Sequence, residues 1–272
     1  MLSAMSKRMA FNRHGSALKL HRSACFGEVS IALLQPKSPI KPEVSADGTV
    51  LAINYLTSGV AAHLACKTTR GGARNRAGRE SHALTAAHVA ILTAATVHAT
   101  NIGLPFTRMI TIHWGAAGVS LEVMAKATRR FLDLMSKALA RHGCQTAWLW
   151  THENGDGEGG HCHMLVHVPA TLALIVTGLQ KGWLRRITGN PYRARVIHSR
   201  PVGGRLGLET GNPDLHAINL QAALSYVLKG TSKAAGAQFG LERLEPGGRV
   251  IGKRCGTSQN IGAKARKAGA NT

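Results

Sequence analysis

Trp148-Leu149-Trp150-Thr151-His152-Glu153, followed by Asn154-Gly155-Asp156-Gly157-Glu158-Gly159-Gly160 and then His161-Cys162-His163-Met164-Leu165-Val166-His167, is the stretch that decides the fold. It reads as two short strands rich in aromatic, β-branched and aliphatic residues, joined by a glycine-rich turn. With residues 154–160 as the loop, Glu153 pairs opposite His161 and Thr151 opposite His163. Directly opposed residues share a face of the sheet. A carboxylate and two imidazoles therefore meet on one side. Three such ligands, with coordination positions left over, suit a catalytic divalent metal better than a closed structural site. The other face, with Trp148, Trp150, Met164, Val166 and Val168, is apolar enough to rest on helices.

A single histidine on a strand is usually a satisfied core or surface residue, and chance His-x-His pairs are common. The carboxylate held in register across the turn is what lifts this pair above that background. His167 shares the face but lies four residues past His163, about 13 Å along an extended strand, which is too far for the same ion. A histidine-triad hydrolase would need a histidine at position 165, where this chain has Leu165.

The chain has 272 residues, 34 Lys and Arg against 13 Asp and Glu, and a formal net charge of +21. Charge of this size favours polyanionic partners, because neutralising phosphates releases counterions. Nucleic acid leads over an anionic membrane surface, since no basic amphipathic anchor stands out. No segment reaches the ~18 apolar residues of a membrane span. Five scattered cysteines (Cys25, Cys66, Cys144, Cys162 and Cys255) fit a reducing compartment rather than a disulfide framework. Cys162 points away from the two histidines and reads as a small buried hydrophobe.

Strong patterning is confined to residues 105–235. Residues 1–80 form a basic, largely flexible extension, with a short strand considered at 49–55. Its first 25 residues superficially resemble a transit peptide, although Met1, Met5 and Met9 leave room for an upstream start of a merely flexible segment. Residues 81–104 contribute an alanine-rich accessory helix. From 107 to 114 a strand alternates Ile110, Ile112 and Trp114 against Met109, Thr111 and His113. A helix follows over 120–142, with Ser120 as its cap and Met124, Ala127, Phe131, Leu134, Met135 and Ala138 as its buried stripe. After the hairpin come a helix at 170–188, a strand at 193–199 and a helix at 215–228. The order β-α-β-β-α-β-α describes an α+β domain, a central antiparallel sheet with helices packed on one face. Residues 236–272 read as a basic flexible tail. Its last part, 246–272, carries Arg249, Lys253, Arg254, Lys264, Arg266 and Lys267 without an acid. This arm is expected to add phosphate affinity and no chemistry.

The last helix places Tyr226 and Lys229 at i and i+3, on one side. A phenol is a poor nucleophile unless its charge is offset as it forms. A neighbouring ammonium does that, and also neutralises a phosphate under attack. Tyr-x-x-Lys alone is frequent, and ordinarily means a half-buried ring beside a snorkelling lysine. Tyr55 and Tyr192, the other tyrosines, have no lysine one helical turn ahead.

Taken in order, the strand Ile110-Thr111-Ile112-His113, then Glu153 with His161-Cys162-His163, then Tyr226-x-x-Lys229 resembles the three motifs of the HUH endonuclease superfamily. The likeness is greatest to rolling-circle replication initiators of bacterial plasmids and phages. It spans about 105–232. Cys162 departs mildly from the bulkier hydrophobe usual between the histidines, and no helicase-type phosphate loop is present.

The resemblance implies an HUH/RRM-like palm. It implies Mg²⁺ or Mn²⁺ held by Glu153, His161 and His163, with Tyr226 as nucleophile and Lys229 as its charge partner. The reaction would be site-specific nicking and strand transfer of single-stranded DNA at an origin or hairpin, through a 5′-phosphotyrosine. It further implies a bacterial cytoplasmic location, with a host helicase and polymerase as further partners. The alternatives are a non-catalytic basic nucleic-acid-binding protein, a phosphohydrolase in which water attacks, and a mobilisation relaxase or single-strand transposase of the same superfamily.

Overall fold

Period-two alternation and helical stripes become real elements in the computed structural model, which describes residues 78–203 and 211–269. In chain order these are β1 (Glu80–Ser81), α1 (Ala86–Asn101), β2 (Arg108–His113), α2 (Leu121–Arg141), β3 (Trp148–Gly155), β4 (Gly159–Val166) and α3 (Ala173–Thr188). They continue with β5 (Ile197–Pro201), α4 (Pro213–Val227), α5 (Lys233–Gln238), β6 (Val250–Ile251), β7 (Cys255–Thr257) and α6 (Ala263–Gly269). Five strands form one antiparallel sheet in the order β5-β2-β4-β3-β7. The molecule is α+β, with helices packed on this sheet.

One sheet face is mostly apolar, with buried His152 and Arg108 as its polar exceptions. Ile110, Ile112 and Trp114 of the β2 segment, Trp150, and Cys162, Met164 and Val166 of β4 are buried there. They meet Met124, Phe131 and Met135 of α2 and Val176, Trp183 and Leu184 of α3. Phe131 and Trp183 meet edge to face, with ring centroids 5.5 Å apart. The helix ends are marked locally. Ser120 precedes α2, and Gly189 ends α3 in the left-handed conformation at φ 71°.

The opposite face is covered as well, contrary to the sequence reading of helices on one side only. Leu149 and Leu165 pack against Val89, Leu92, Ala95 and Ala99 of α1 and against Leu220, Leu224 and Val227 of α4. The accessory helix expected within 81–104 is α1. Its start is fixed by a capping box between Thr85 and His88. The second face thus divides in two. Its apolar end, Leu149 and Leu165, lies under α1 and α4, and its polar end carries Thr111, His113, Glu153, His161 and His163.

Two further expectations are corrected. The strand placed at 193–199 begins four residues later, at Ile197. Arg195 sits at φ 65°, a left-handed conformation outside the extended region of regular strands. Residues 236–272 are not a flexible tail in their described part. β6 pairs with β1, and β7 is the edge strand of the main sheet beside β3. Arg254, expected to reach phosphates, is 3% exposed. Its guanidinium donates to the carbonyls of Ser81, His152, Gly247 and Gly248, which ties β1, β3 and the C-terminal segment together. The domain therefore continues past residue 235 to the end of α6. The extension over 1–80, with the strand considered at 49–55, lies outside the described residues except for 78–80.

Candidate metal centre and tyrosine site

The hairpin register is the one the sequence implies. Glu153 lies opposite His161 and Thr151 opposite His163. The strands run closer to the turn than expected, to Gly155 and from Gly159. Gly157 and Gly159, at φ 78° and 68°, let the chain reverse there. Gly160 lies close under α2. A Cβ at that position would stand 2.8 Å from the end of the Leu121 side chain and 3.0 Å from Met124 Sδ, so these two side chains would have to shift.

Glu153, His161 and His163 are 3%, 2% and 2% exposed. They offer ligand atoms that all lie within 4.8 Å of one another, a group able to hold a metal ion. Glu153 Oε2 is 3.2 Å from His161 Nε2 and 3.4 Å from His163 Nε2. Both rings are aimed from behind. His161 Nδ1 donates to the Gly159 carbonyl at 3.0 Å, and His163 Nδ1 shares a hydrogen bond with Thr111 Oγ1 at 2.9 Å. Each imidazole thus turns its Nε2 toward the carboxylate, the arrangement by which supporting hydrogen bonds orient metal ligands. Glu153 Oε1 and His163 Nε2 are buried without a hydrogen-bond partner. Such orphaned polar atoms are costly unless a group not drawn from the protein completes them. Two imidazoles and a carboxylate with orphaned lone pairs fit a divalent cation.

The charges agree with this. Burial alone would raise the Glu153 pKa, but the hydrogen bond with His161, the nearby His163 imidazole and the Lys229 charge hold it well below the usual carboxylate range. Burial works against a charged His161, and the Glu153 carboxylate overcomes it, so its pKa is raised. Burial lowers that of His163. The metal-free site therefore favours an ionised Glu153 and a protonated His161 more strongly than water does, and a cation binding at Nε2 competes with that proton.

Tyr226 and Lys229 arrive from α4. Thr151 Oγ1 donates to the Val227 carbonyl at 3.1 Å, which pins the end of α4 to β3 beside the histidines. The Tyr226 ring meets His163 edge to face at 5.0 Å between centroids. Lys229 follows the end of α4 rather than lying on it, so its nearness to Tyr226 comes from a turn and not from helical i, i+3 spacing. Its Nζ stands 5.0 Å from the Tyr226 ring centroid and 3.2 Å from Glu153 Oε2. Burial pushes the Tyr226 phenol up, and Lys229 opposes that shift. All five residues expected from the sequence come together at the polar end of one sheet face.

Other groups there escaped sequence reading. Glu245 accepts from Lys229 Nζ at 2.5 Å, and Arg243 places its guanidinium 5.1 Å from the Tyr226 ring centroid. Both belong to a segment taken for a tail. His113 lies opposite His161 on β2, and with Glu158 and His161 it forms a second group able to hold a metal ion. Glu158 is 63% exposed, and the His161 Nε2 it faces is the atom that faces Glu153, so this group competes with the buried one. The strand alternation could have pointed to His113. Among the described residues His167 belongs to neither group, and its Nδ1 donates to the Pro105 carbonyl at 2.7 Å.

No family model matches the chain, and neither curated proteins nor solved structures give a match. Among the described residues no helix is long and apolar enough to cross a membrane.

Proposed function

We propose that the protein is an HUH-type DNA nickase that cleaves single-stranded DNA through Tyr226 and acts as a replication initiator for a bacterial plasmid or phage. The observation that carries this reading is the meeting of Glu153, His161 and His163 with Tyr226 and Lys229 in one buried polar cluster. A strand hairpin supplies three of these residues, and the end of a helix much later in the chain supplies the others. Chance seldom unites a metal-type donor set with a tyrosine and an unusually buried lysine. The four strands β5-β2-β4-β3, with α2 after β2 and α3 after β4, also form the β-α-β-β-α-β unit that a palm-like fold uses.

In the reaction, the Tyr226 oxygen forms a bond to the scissile phosphorus and the bond from phosphorus to the 3′-oxygen breaks. The phenolic proton is lost to solvent and the leaving 3′-oxygen regains one. The product is a 5′-phosphotyrosyl protein and a free 3′-hydroxyl. Lys229 offsets negative charge at the attacking phenol and on the phosphate. Thr151 and the α4 terminus hold Tyr226 against the histidine pair, and rates fall quickly when such geometry loosens. Glu153, His161 and His163 would hold a Mg²⁺ or Mn²⁺ ion, which supplies Lewis-acid polarisation of the phosphate when bound. Because the 5′-phosphotyrosine preserves a phosphoester, the free hydroxyl can reverse the step and rejoin strands.

The test is Tyr226→Phe with a single-stranded oligonucleotide and Mn²⁺. The nickase reading requires that nicking and the covalent adduct both vanish while the fold persists. Retained cleavage would show that water attacks, and a parent that binds DNA without cutting would make the protein a binder.

A further inference from the structure

We propose that Arg243 and Glu245 complete this site: Arg243 binds an oxygen of the phosphate presented to Tyr226, and Glu245 is a positioning residue that holds Arg243 and Lys229 against the tyrosine ring. The proposal rests on the nickase reading above and adds two residues to it.

The charged groups form a chain that runs outward from the buried carboxylate. Glu153 Oε2 meets Lys229 Nζ at 3.2 Å, and the same ammonium meets Glu245 Oε2 at 2.5 Å. The other oxygen, Oε1, accepts from Arg243 Nε at 2.8 Å and from its Nη2 at 2.5 Å. Glu245 is fixed by its backbone too, since its N–H donates to the Lys229 carbonyl at 2.8 Å. Two cations thus stand about equally far from one aromatic ring, at 5.0 and 5.1 Å from its centroid, and one carboxylate bridges them.

The two cations differ in what they can reach. Lys229 is 9% exposed at its side chain and is committed to two carboxylates. The Arg243 side chain is 55% exposed. Glu245 engages one edge of its planar guanidinium and leaves the remaining N–H groups for an incoming anion. Arginine suits this task, because its rigid fork presents several donors to phosphate at once.

Glu245 has a second consequence. Glu153, His161 and His163 would hold a divalent cation, whose charge would oppose the Lys229 ammonium 3.2 Å from Glu153 Oε2. Glu245 is the second carboxylate on that ammonium and would keep it beside Tyr226. Without Glu245, Glu153 would be the one carboxylate left to Lys229, and the ammonium would compete with the cation.

The experiment uses the full chain, Mn²⁺ alone by titration calorimetry, and single-turnover adduct formation on a single-stranded oligonucleotide. Arg243→Ala should leave Mn²⁺ affinity unchanged and raise the oligonucleotide concentration for half-saturation about tenfold or more, as expected for a lost charged hydrogen bond. Arg243→Lys should recover only part. Glu245→Gln should weaken Mn²⁺ binding about tenfold, the low end for a lost supporting partner, and slow the saturated rate. Melting curves show that each variant is folded, and a variant that does not fold is replaced by Arg243→Gln or Glu245→Asp. An unchanged half-saturation in Arg243→Ala overturns the phosphate contact, and an unchanged Mn²⁺ affinity in Glu245→Gln overturns the positioning role. If the parent forms no adduct, the nickase reading falls. Oligonucleotide anisotropy then decides Arg243 separately: weaker binding by Arg243→Ala supports the contact, and equal binding refutes it.

Discussion

Replacing Gly230 by alanine adds one methyl group to the wall of the site and replaces none of the proposed ligands. The added Cβ would stand 3.0 Å from Glu153 Oε1, 3.5 Å from its Cδ and 3.4 Å from Gly247 Cα. Ordinary contact begins at 3.4 Å, so the carboxylate must retreat by about 0.4 Å, whereas ligand distances in metal sites hold to within about 0.2 Å. The backbone at Gly230 is not left-handed, so the substitution adds no torsional strain. Losing the support of a ligand ordinarily costs about 10- to 100-fold in metal affinity, or about 1.4–2.8 kcal/mol. Mn²⁺ titration of the parent and Gly230→Ala, with a melting curve for each, measures this. Gly178→Ala at an exposed position of α3, where a Cβ meets nothing within 4 Å, is the control. It should stabilise by about 0.5–1 kcal/mol and leave the metal alone. If Gly230→Ala binds Mn²⁺ like the parent, the packing of Glu153 against Gly230 does not position a ligand and the reasoning fails.

Mn²⁺ affinity should fall as pH drops through the raised His161 pKa, which lies above the ordinary 6.5, because proton and cation compete for Nε2. Stability of the metal-free protein should respond in the opposite sense. The His161 contribution is full below 6.5 and fades as pH rises through the raised value, and a pH series of calorimetry and melting reads both signs. Thr128→Val should destabilise by about 2–6 kcal/mol, since it strands the buried Trp114 Nε1–H and His152 Nε2 that now bond Thr128 Oγ1 at 2.9 and 2.8 Å. Denaturant unfolding checks it, and a loss under about 1 kcal/mol contradicts it. Deleting 246–272 should unfold or strongly destabilise the domain, because it removes β7 and Arg254. A truncated protein that melts like the parent would contradict that.

The hairpin was legible because alternation, a glycine-rich turn and register are local properties. Once Glu153 and His161 face each other, the donor set follows. Tyr226 was legible through order along the chain, although the contact with Lys229 is made by a turn. What stayed hidden is what long-range pairing creates. β7 is three residues containing a glycine in a basic run, with no pattern of its own, and it is a strand only because β3 offers a free edge. Arg254 carries the composition of a DNA contact and is spent on buried carbonyls. Arg243 and Glu245 have no motif and reach Tyr226 only through that same fold-back. The two helices on the second face were expected in sequence but not placed there, because that face carries its leucines at one end and site residues at the other, and α1 lacks a polar stripe to show which side it buries.

The most direct test of the account is peptide mapping after the full chain reacts with single-stranded DNA and Mn²⁺. The account predicts a nucleotide adduct on the peptide that contains Tyr226, absent when His161 and His163 are both replaced by alanine. An adduct on Tyr55 or Tyr192, or one that survives loss of both histidines, would contradict it.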